Sequence, residues 1–421
     1  MHKMSNGKKA FKTPLDHETD YTENLIESLH NLRKSRSVVI NPDYLDDEKL
    51  PESERTKVLQ EIFNRNIREK QISRIISHLT PILDNACPPS ALIYGPTGSG
   101  KTVSLIHVLS TFCTYTQKRK IAFDYHYIDI TSPKSFFAAL NEMAIALNCT
   151  KKKYRKGIPI EYMQKMIISA ISKLGGHLCF LIDEADNIKP NPDLFLTFLA
   201  KTLPRKVNCR LSYILITNRL DWEKSLDSRI LSFFKKTDII FEPYDALDLL
   251  EILKLRSQKA LDQKKVDQAA LHKIAAYASQ ETGDSRMAVE LLAKTVRVAE
   301  QTTGHIGIKE VDIAEKRLEV DKTTHLISAL ALHQKLALQG CYYHLTKPGT
   351  KKTTTGQAYA IYTRICERQK TRTLSQRRFC DMISFLDLYG LINARVISMG
   401  RYGKTREIIS SLPEQIIKTF M

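Results

Sequence analysis

The residues best suited to chemistry form one short run, Gly95-Pro96-Thr97-Gly98-Ser99-Gly100-Lys101-Thr102. Its three glycines lack a Cβ, so backbone N–H groups can curl around anionic oxygens. Lys101 would reach the outer phosphates of a nucleotide, and the Thr102 hydroxyl would bind Mg²⁺. The apolar run Ala91–Tyr94 precedes the loop and Val103 opens a helical stretch, which is the strand–loop–helix context of a phosphate-binding loop. The alternative is an ordinary glycine-rich turn.

A second run, Leu178–Glu184, is an apolar strand that ends in two acids, Asp183 and Glu184. Next to a phosphate loop, Asp183 would hold a Mg²⁺-bound water, and Glu184 would orient and activate the attacking water. By itself such an acid pair is equally compatible with a plain strand end. Together with the loop it favours hydrolysis over binding alone.

Three further polar residues follow at intervals along the chain. Asn218 ends the apolar run Tyr213–Thr217 and could hold the γ-phosphate or the attacking water, or it could simply form a turn. Arg229 could act as a finger on the nucleotide of a neighbouring subunit, or form an ion pair on a helix surface. Arg286 falls in the first turn of a predicted helix, where a cation is unfavourable for the helix dipole. A phosphate partner would explain Arg286, and a simple exposed arginine is the alternative.

These residues are positioned by an α/β region followed by helices. Short apolar runs alternate with amphipathic stretches, which predicts a parallel sheet covered on both faces. The predicted strands are Ala91–Tyr94, Ala122–Ile130, His177–Ile182, Leu211–Thr217 and Asp238–Phe241. The predicted domains are a flexible segment at 1–36, a nucleotide-binding α/β domain at 37–243, an all-helical lid at 244–320 and a terminal module at 321–421.

Composition limits the class of protein. The chain has 421 residues, 43% of them apolar, which is typical of soluble globular proteins with two or three domains. It has no apolar run of 18 residues, and no apolar segment follows its basic start, so neither a membrane span nor a signal peptide is expected. Its eight cysteines lie singly, which disfavours zinc and disulfide frameworks. We therefore expect a cytoplasmic, nucleoid-associated protein without membrane partners.

The positive charge is concentrated at the C-terminal end. The net charge is +18, and the part from Asp321 onward holds 16 Lys and Arg against 6 Asp and Glu, a balance of +10. Such a module suggests a polyanionic partner such as nucleic acid, although charge can also serve solubility.

Two helices and a hairpin are predicted within this basic module. Apolar residues recur at helical spacing over Ala358–Cys366 and again over Phe379–Leu386, and a hairpin follows. This order is the winged-helix pattern, in which the second helix enters the major groove of duplex DNA. The candidate DNA-binding residues lie at the start of that helix and around the hairpin tip: Gln376, Arg377, Arg378, Arg401, Tyr402, Lys404 and Arg406. Many winged helices bind only protein, which is the alternative.

The order of these motifs resembles the AAA+ ATPase superfamily, and within it the archaeal replication initiators of the origin-recognition-complex/cell-division-control type. Gly95–Thr102 match Walker A, Asp183-Glu184 match Walker B, and Asn218 matches sensor 1. Arg286 matches sensor 2 and Arg229 matches the arginine finger. The segment Arg68–Gln71 matches a family motif that would lie near adenine.

Some positions depart from the family pattern. Ile67 and Ser228 stand where the family often has His and Pro, and the stretch between Leu45 and Ile67 is longer than usual. The family also carries a helical insertion after the second strand, here Ser132–Cys149. The basic run Lys151–Lys156 follows it, as either a phosphate contact or a solvated loop.

The resemblance implies a replication initiator that binds double-stranded DNA at origins. It implies an AAA+ core with a helical lid and bound ATP or ADP with Mg²⁺. If the bound nucleotide sets the angle between core and lid as a conformational switch, hydrolysis is expected to be slow. A replicative helicase and a second initiator copy or paralogue are further candidate partners. Two alternatives stay open: a clamp-loader-like or remodelling ATPase, and a winged-helix transcription regulator with an ATPase core.

Overall fold

The computed structural model describes residues 36–46, 49–132, 134–150, 158–234, 237–346, 349–398 and 404–420. The chain divides into two compact units, with the division between Val311 and Asp312. None of the described helices is both long and apolar enough to cross a membrane.

The first unit contains a five-stranded parallel sheet with the strand order β2-β3-β4-β1-β5. The strands are β1 (Ala91–Tyr94), β2 (Phe123–Asp129), β3 (His177–Asp183), β4 (Arg210–Thr217) and β5 (Thr237–Ile240). All five lie at the runs predicted to be strands, so the predicted parallel sheet is confirmed. Strands β1 and β3 are buried along their whole length, and such strands are recognisable because parallel sheets place apolar side chains on both faces.

Helices surround this sheet and continue beyond it. Those that precede, connect or follow its strands are α1 (Glu52–Phe63), α2 (Glu69–Leu79), α3 (Lys101–Lys118), α4 (Phe136–Ala146), α5 (Ile160–Lys173), α6 (Pro192–Thr197) and α7 (Ser228–Phe234). The helices after the sheet are α8 (Ala246–Ala260), α9 (Gln268–Glu281), α10 (Ser285–Gln301) and α11 (Ile308–Ala329). Helix α4 lies within the predicted insertion at 132–149.

Alternate residues of β1, β3 and β4 pack into two separate cores. Ile93 of β1 packs with Leu105 of α3 and Ile75 of α2 on one face of the sheet. Leu92 of the same strand belongs to the core on the opposite face, which includes Met163 of α5. The sheet is thus covered on both sides, and the carboxyl ends of its strands remain available for a ligand.

The second unit is a small helical module with a three-stranded antiparallel sheet. Its elements are α12 (Leu332–Leu345), β6 (Lys352–Thr354), α13 (Thr355–Arg368), α14 (Gln376–Leu388), β7 (Ile392–Ser398), β8 (Lys404–Ser410) and α15 (Glu414–Phe420). The sheet order is β6-β8-β7. The predicted helices and hairpin are present, whereas the three-residue strand β6 was not predicted. Helix α11 continues without a break through the domain limit expected at 320.

Candidate functional site

The phosphate loop lies between β1 and α3, and its lysine is folded back onto the loop. Gly98 and Gly100 have φ values of 71° and 84°, a region that side-chain-bearing residues avoid. The Lys101 ammonium donates to the carbonyls of Gly95 at 2.8 Å and Pro96 at 2.7 Å. It also donates to Asn218 Oδ1 at 2.8 Å. These are the contacts that phosphate oxygens would replace.

Burial changes the proton affinity of this lysine. Desolvation lowers the pKa of Lys101 to about 8, the nearby Asp183 carboxylate opposes this effect, and the Arg286 guanidinium adds to it. A phosphate group beside Lys101 would raise this pKa again, because an opposite charge at short range favours the charged form. The site is therefore electrostatically suited to an anion.

Oxygen ligands for a divalent cation converge beside the loop. Thr102 Oγ1 donates to Asp183 Oδ2 at 2.7 Å, and the Tyr127 hydroxyl donates to the same oxygen at 3.1 Å. Within the described ranges no cluster of three or more His, Cys, Asp or Glu could hold a metal. A hydroxyl and one carboxylate fit Mg²⁺, which takes few protein ligands and completes its shell with phosphate oxygens and water.

Both carboxylate oxygens of Glu184 accept hydrogen bonds from side-chain amides. Asn218 Nδ2 donates to Oε1 at 3.3 Å, and Asn187 Nδ2 donates to Oε2 at 2.8 Å. Burial raises the pKa of Glu184, the Asp183 charge adds to this effect, and the Asn218 amide opposes it. The structure thus brings the predicted base and Asn218 together with Asn187, which was not predicted.

The first turn of α10 rests directly on the phosphate loop. The backbone N–H and hydroxyl of Ser285 both donate to the Gly98 carbonyl, at 3.3 Å and 3.0 Å. The Asp284 side chain caps α10 by accepting from the Arg286 N–H at 2.7 Å. Arg286 therefore faces the same cavity as Lys101.

This cavity has a volume of about 710 Å³. Its polar lining includes Thr97, Gly98, Gly100, Lys101, Thr102, Asp183, Glu184, Asn218 and Arg286. Its apolar lining includes Leu59, Ile62 and Phe63 of α1, Ile252 of α8 and Val289 of α10; Val103 also contributes. Apolar side chains beside convergent polar groups are typical of sites for small organic ligands. The helical spacing of the α1 residues is the signal that could have identified them.

The structure places Arg68 away from the cavity lining. Its guanidinium stacks 3.8 Å from the centre of the Tyr244 ring, and its Nη2 donates to the Glu242 carbonyl at 2.6 Å. Tyr244 does line the cavity, and a Cβ on Gly100 would overlap its hydroxyl. Arg68 thus contacts a residue of the cavity wall, Tyr244, and its expected place near adenine stays a prediction.

The remaining predicted residues of the first unit lie outside the cavity lining that the described residues form. The carbonyls of Gly95 and Pro96 accept hydrogen bonds from the Lys101 ammonium. Ser99 is buried, and its hydroxyl donates to the Pro96 carbonyl at 2.8 Å. Arg229 is exposed in the first turn of α7, where its N–H donates to Asp227 Oδ1 at 2.8 Å. The basic run 151–156 lies outside the described residues.

The basic surface of the second unit is centred on α14. Gln376, Arg377 and Arg378 are exposed in its first turn, while Phe379 begins its buried side. The end of α13 and the turn before α14 add three exposed cations that were not predicted: Arg368, Lys370 and Arg372. Their signal in the sequence is charge density, since five of the eleven residues from 368 to 378 are basic.

The two predicted hairpin residues that the structure describes, Lys404 and Arg406, differ in their surroundings. Arg406 of β8 donates to the Ser384 hydroxyl at 2.7 Å and to the Cys380 carbonyl at 3.3 Å, so it ties the hairpin to α14. Lys404 is exposed at the start of β8. Arg401 and Tyr402 lie outside the described residues.

The phosphate loop, the Asp-Glu strand end and the helical lid define an ATPase of the AAA+ class. Three family models match the chain in order: an AAA domain at 88–224, a Cdc6 AAA+ ATPase-type lid domain at 250–316, and the CDC6 C-terminal winged-helix domain at 325–419. The ORC1-type DNA replication protein 1 of Archaeoglobus fulgidus is 30% identical over 352 residues, covering 83% of this chain and 85% of that protein. The chain therefore belongs to the family of ORC1-type (ORC1/Cdc6) DNA replication proteins.

Further relatives and solved structures are similar to this chain over most of its length. The ORC1-type DNA replication protein 1 of Sulfolobus acidocaldarius is 30% identical over 403 residues, which cover 95% of this chain and 96% of that protein. The Aeropyrum pernix ORC1 protein, solved in complex with DNA, has a TM-score of 0.67 at 24% identity, covering 91% of this chain and 96% of that chain. Cdc6p from Pyrobaculum aerophilum has a TM-score of 0.53 at 21% identity, covering 91% of this chain and 98% of that chain. These structural matches support the fold, including the winged helix of the second unit.

Proposed function

We propose that this chain is an ATP-dependent DNA-binding initiator of replication, in which bound ATP or ADP sets the position of the lid. The observation that carries the proposal is the direct contact between lid and loop. Ser285 bonds to the Gly98 carbonyl, and Arg286 shares a cavity with Lys101. A ligand at the loop would therefore interact with the lid, which a nucleotide-dependent change requires.

In this proposal each polar group of the site has one task. Lys101 and Arg286 bind phosphate oxygens, and Thr102 with Asp183 holds Mg²⁺, which would neutralise phosphate charge. Glu184 accepts a proton from the attacking water, which Asn218 helps to orient.

Arg229 would act on the nucleotide of a neighbouring copy. It lies on the exposed first turn of α7 and outside the lining of its own cavity. A mixture of the Arg229→Ala and Lys101→Ala variants should then recover hydrolysis that each variant lacks alone. Unchanged hydrolysis by Arg229→Ala would rule out this role.

The basic surface of the second unit would bind duplex DNA. Relatives are named DNA replication proteins, and one structural match was solved in complex with DNA. Exposed arginines in the first turn of α14 suit contacts in the major groove, and the flanking cations suit phosphates. Footprints at repeated sites of an origin would support an initiator, whereas footprints at promoters would favour a transcription regulator.

The test measures the two sites separately. Lys101→Ala should abolish ADP and ATP binding, whereas Lys118→Ala, at the exposed end of the same helix, should not. Arg377→Ala should weaken binding to duplex DNA without loss of nucleotide, and Arg205→Ala serves as a charge-matched control. Hydrolysis is expected to be slow, in keeping with a switch. A fast DNA-stimulated rate would instead favour a motor, and wild-type protein without nucleotide binding would refute the proposal.

A further inference from the structure

Two segments run side by side next to Glu184. The Lys134 N–H donates to the Asn187 carbonyl at 2.9 Å, and the Lys189 N–H donates to the Lys134 carbonyl at 2.9 Å. Lys134 and Ile188 form a parallel β-bridge. The segment that follows β2 is thereby fixed to the segment that follows the Asp-Glu pair.

The Asn187 side chain extends this connection to the carboxylate itself. Its amide Nδ2 lies 2.8 Å from Glu184 Oε2, 3.1 Å from the Ile130 carbonyl and 3.3 Å from the Thr131 carbonyl. An amide carries two N–H donors, so the three acceptors share them. Any shift of residues 130 and 131 would therefore change the hydrogen bond that Glu184 receives.

Glu184 depends on such contacts for its position. Its φ of 52° is a left-handed conformation that a residue with a side chain adopts only when the surroundings enforce it. The amide of Asn218 is farther away, at 3.3 Å, and the Oδ1 of Asn218 is occupied by Lys101. The shorter hydrogen bond to the carboxylate comes from Asn187.

The segment is also tied to helix α4. Lys134 Nζ lies 2.8 Å from Glu142 Oε1, and both side chains are largely buried, with 14% and 16% of their surface exposed. A continuous route of contacts thus leads from α4 through Glu142, Lys134 and Asn187 to Glu184. Each step is a hydrogen bond or an ion pair between neighbouring groups.

We propose that Asn187 is a positioning residue for Glu184, through which the position of α4 sets the rate of ATP hydrolysis. This inference deepens the proposed function and rests on it, since it takes Glu184 to be the base. Hydrolysis requires the carboxylate to meet the attacking water, and a displacement of about 1 Å can cost roughly 100-fold in rate. A partner that moved α4 would act on hydrolysis without touching the nucleotide.

The first experiment compares two asparagines on the same segment. Asn187→Ala should lower single-turnover ATP hydrolysis by roughly 10- to 100-fold, while ADP affinity stays within about twofold of wild type. The control is Asn191→Ala, which removes a side-chain cap from the Asp193 N–H at the start of α6 without a contact to Glu184. It should leave hydrolysis unchanged. Equal hydrolysis by Asn187→Ala and wild type, or an equal loss of ADP affinity, would overturn the proposal.

A second measurement tests the contact without relying on hydrolysis. The unfolding free energies of Asn187→Ala, Glu184→Ala and the double variant form a cycle that should be non-additive, because both single variants lose the same hydrogen bond between Asn187 and Glu184. Additive effects would overturn the proposed contact. If wild-type protein bound no nucleotide, the proposed function would be refuted. The double-variant cycle would still show whether Asn187 and Glu184 form a stabilising hydrogen bond.

The route from α4 is tested by removing its ion pair. Glu142→Gln should slow hydrolysis severalfold and add little to Asn187→Ala, since both act on the same path. Glu161→Gln, in the first turn of α5, is the matched control and should have no effect. Independent, additive losses would refute transmission from α4.

Discussion

Replacing Gly98 with alanine should disturb the contact between phosphate loop and lid in a calculable way. A left-handed conformation costs a residue with a Cβ about 1–2 kcal/mol. The new Cβ would also overlap the Asp284 carboxylate, which must then leave its capping position. Loss of such a cap costs about 1 kcal/mol. Together these terms predict a loss of about 2–3 kcal/mol in unfolding free energy, along with weaker ADP binding.

Alanine substitutions at two other glycines of the first unit distinguish the cost of the left-handed backbone from the cost of a steric overlap. Gly304 also has a left-handed φ, of 72°, but the nearest atoms to a Cβ there belong to Arg36, at 3.2 Å or more, so no atom overlaps as Asp284 does at Gly98. Gly304→Ala should therefore cost about 1–2 kcal/mol. Gly175 has no atom within 4 Å of its ideal Cβ, so Gly175→Ala should be neutral or slightly stabilising.

Urea unfolding provides the assay, because the single tryptophan of the chain, Trp222, is buried in the core of the first unit. Its fluorescence reports the unit that contains Gly98. Isothermal titration with ADP gives the loss of affinity. The double variant Gly98→Ala/Asp284→Ala should cost less than the sum of the two single changes, because the overlap is relieved. Additive costs, or Gly98→Ala no worse than Gly304→Ala, would refute this reasoning.

Three further predictions follow from contacts elsewhere. Arg68→Lys keeps the charge but loses the planar stack on Tyr244, so unfolding free energy should fall by about 1 kcal/mol with weaker ADP binding; unchanged values would contradict the stacking role. Burial lowers the pKa of His177 to about 4, with Arg210 adding to the effect. As pH falls from about 6.5 towards 4 the unfolded state binds more protons, and between pH 7 and pH 5 about 1–2 kcal/mol of stability should be lost. His177→Gln should flatten that dependence in urea titrations, and equal slopes would argue against it. Arg372→Ala should lower the slope of log affinity against log salt for duplex DNA by about 1 if it contacts a phosphate; an unaltered slope would exclude that contact.

The sequence predicted those features that depend on local pattern. Continuous apolar runs identified the inner strands most clearly, because β1 and β3 are buried along their whole length, whereas the edge strands β2 and β5 are partly exposed. The loop Gly95–Thr102 could be identified because its glycines and Lys101 occupy fixed positions between a strand and a helix. The strand β6 was missed because Lys352–Thr354 is three residues long and carries no apolar alternation.

Other features depend on which distant segments meet. Asn187 looks like an ordinary turn residue, and its role emerges only because residues 130–134 run beside it. Arg68 matches a family motif, yet its direction is set by the ring of Tyr244, which lies 176 positions farther along the chain. Similarly, no sequence pattern within β8 indicates that the Arg406 side chain contacts α14 instead of solvent. Such placements follow from tertiary packing rather than from periodicity.

The seating of Ser285 on the Gly98 carbonyl has a kinetic consequence. If α10 must lift from the loop before a nucleotide departs, each exchange breaks and remakes hydrogen bonds inside the protein. Turnover of the bound ligand would then lag behind changes in the ATP to ADP ratio of the surroundings. The protein would then keep the nucleotide that it last bound for some time after the ATP to ADP ratio had changed, and the rate at which α10 lifts would set the length of that delay.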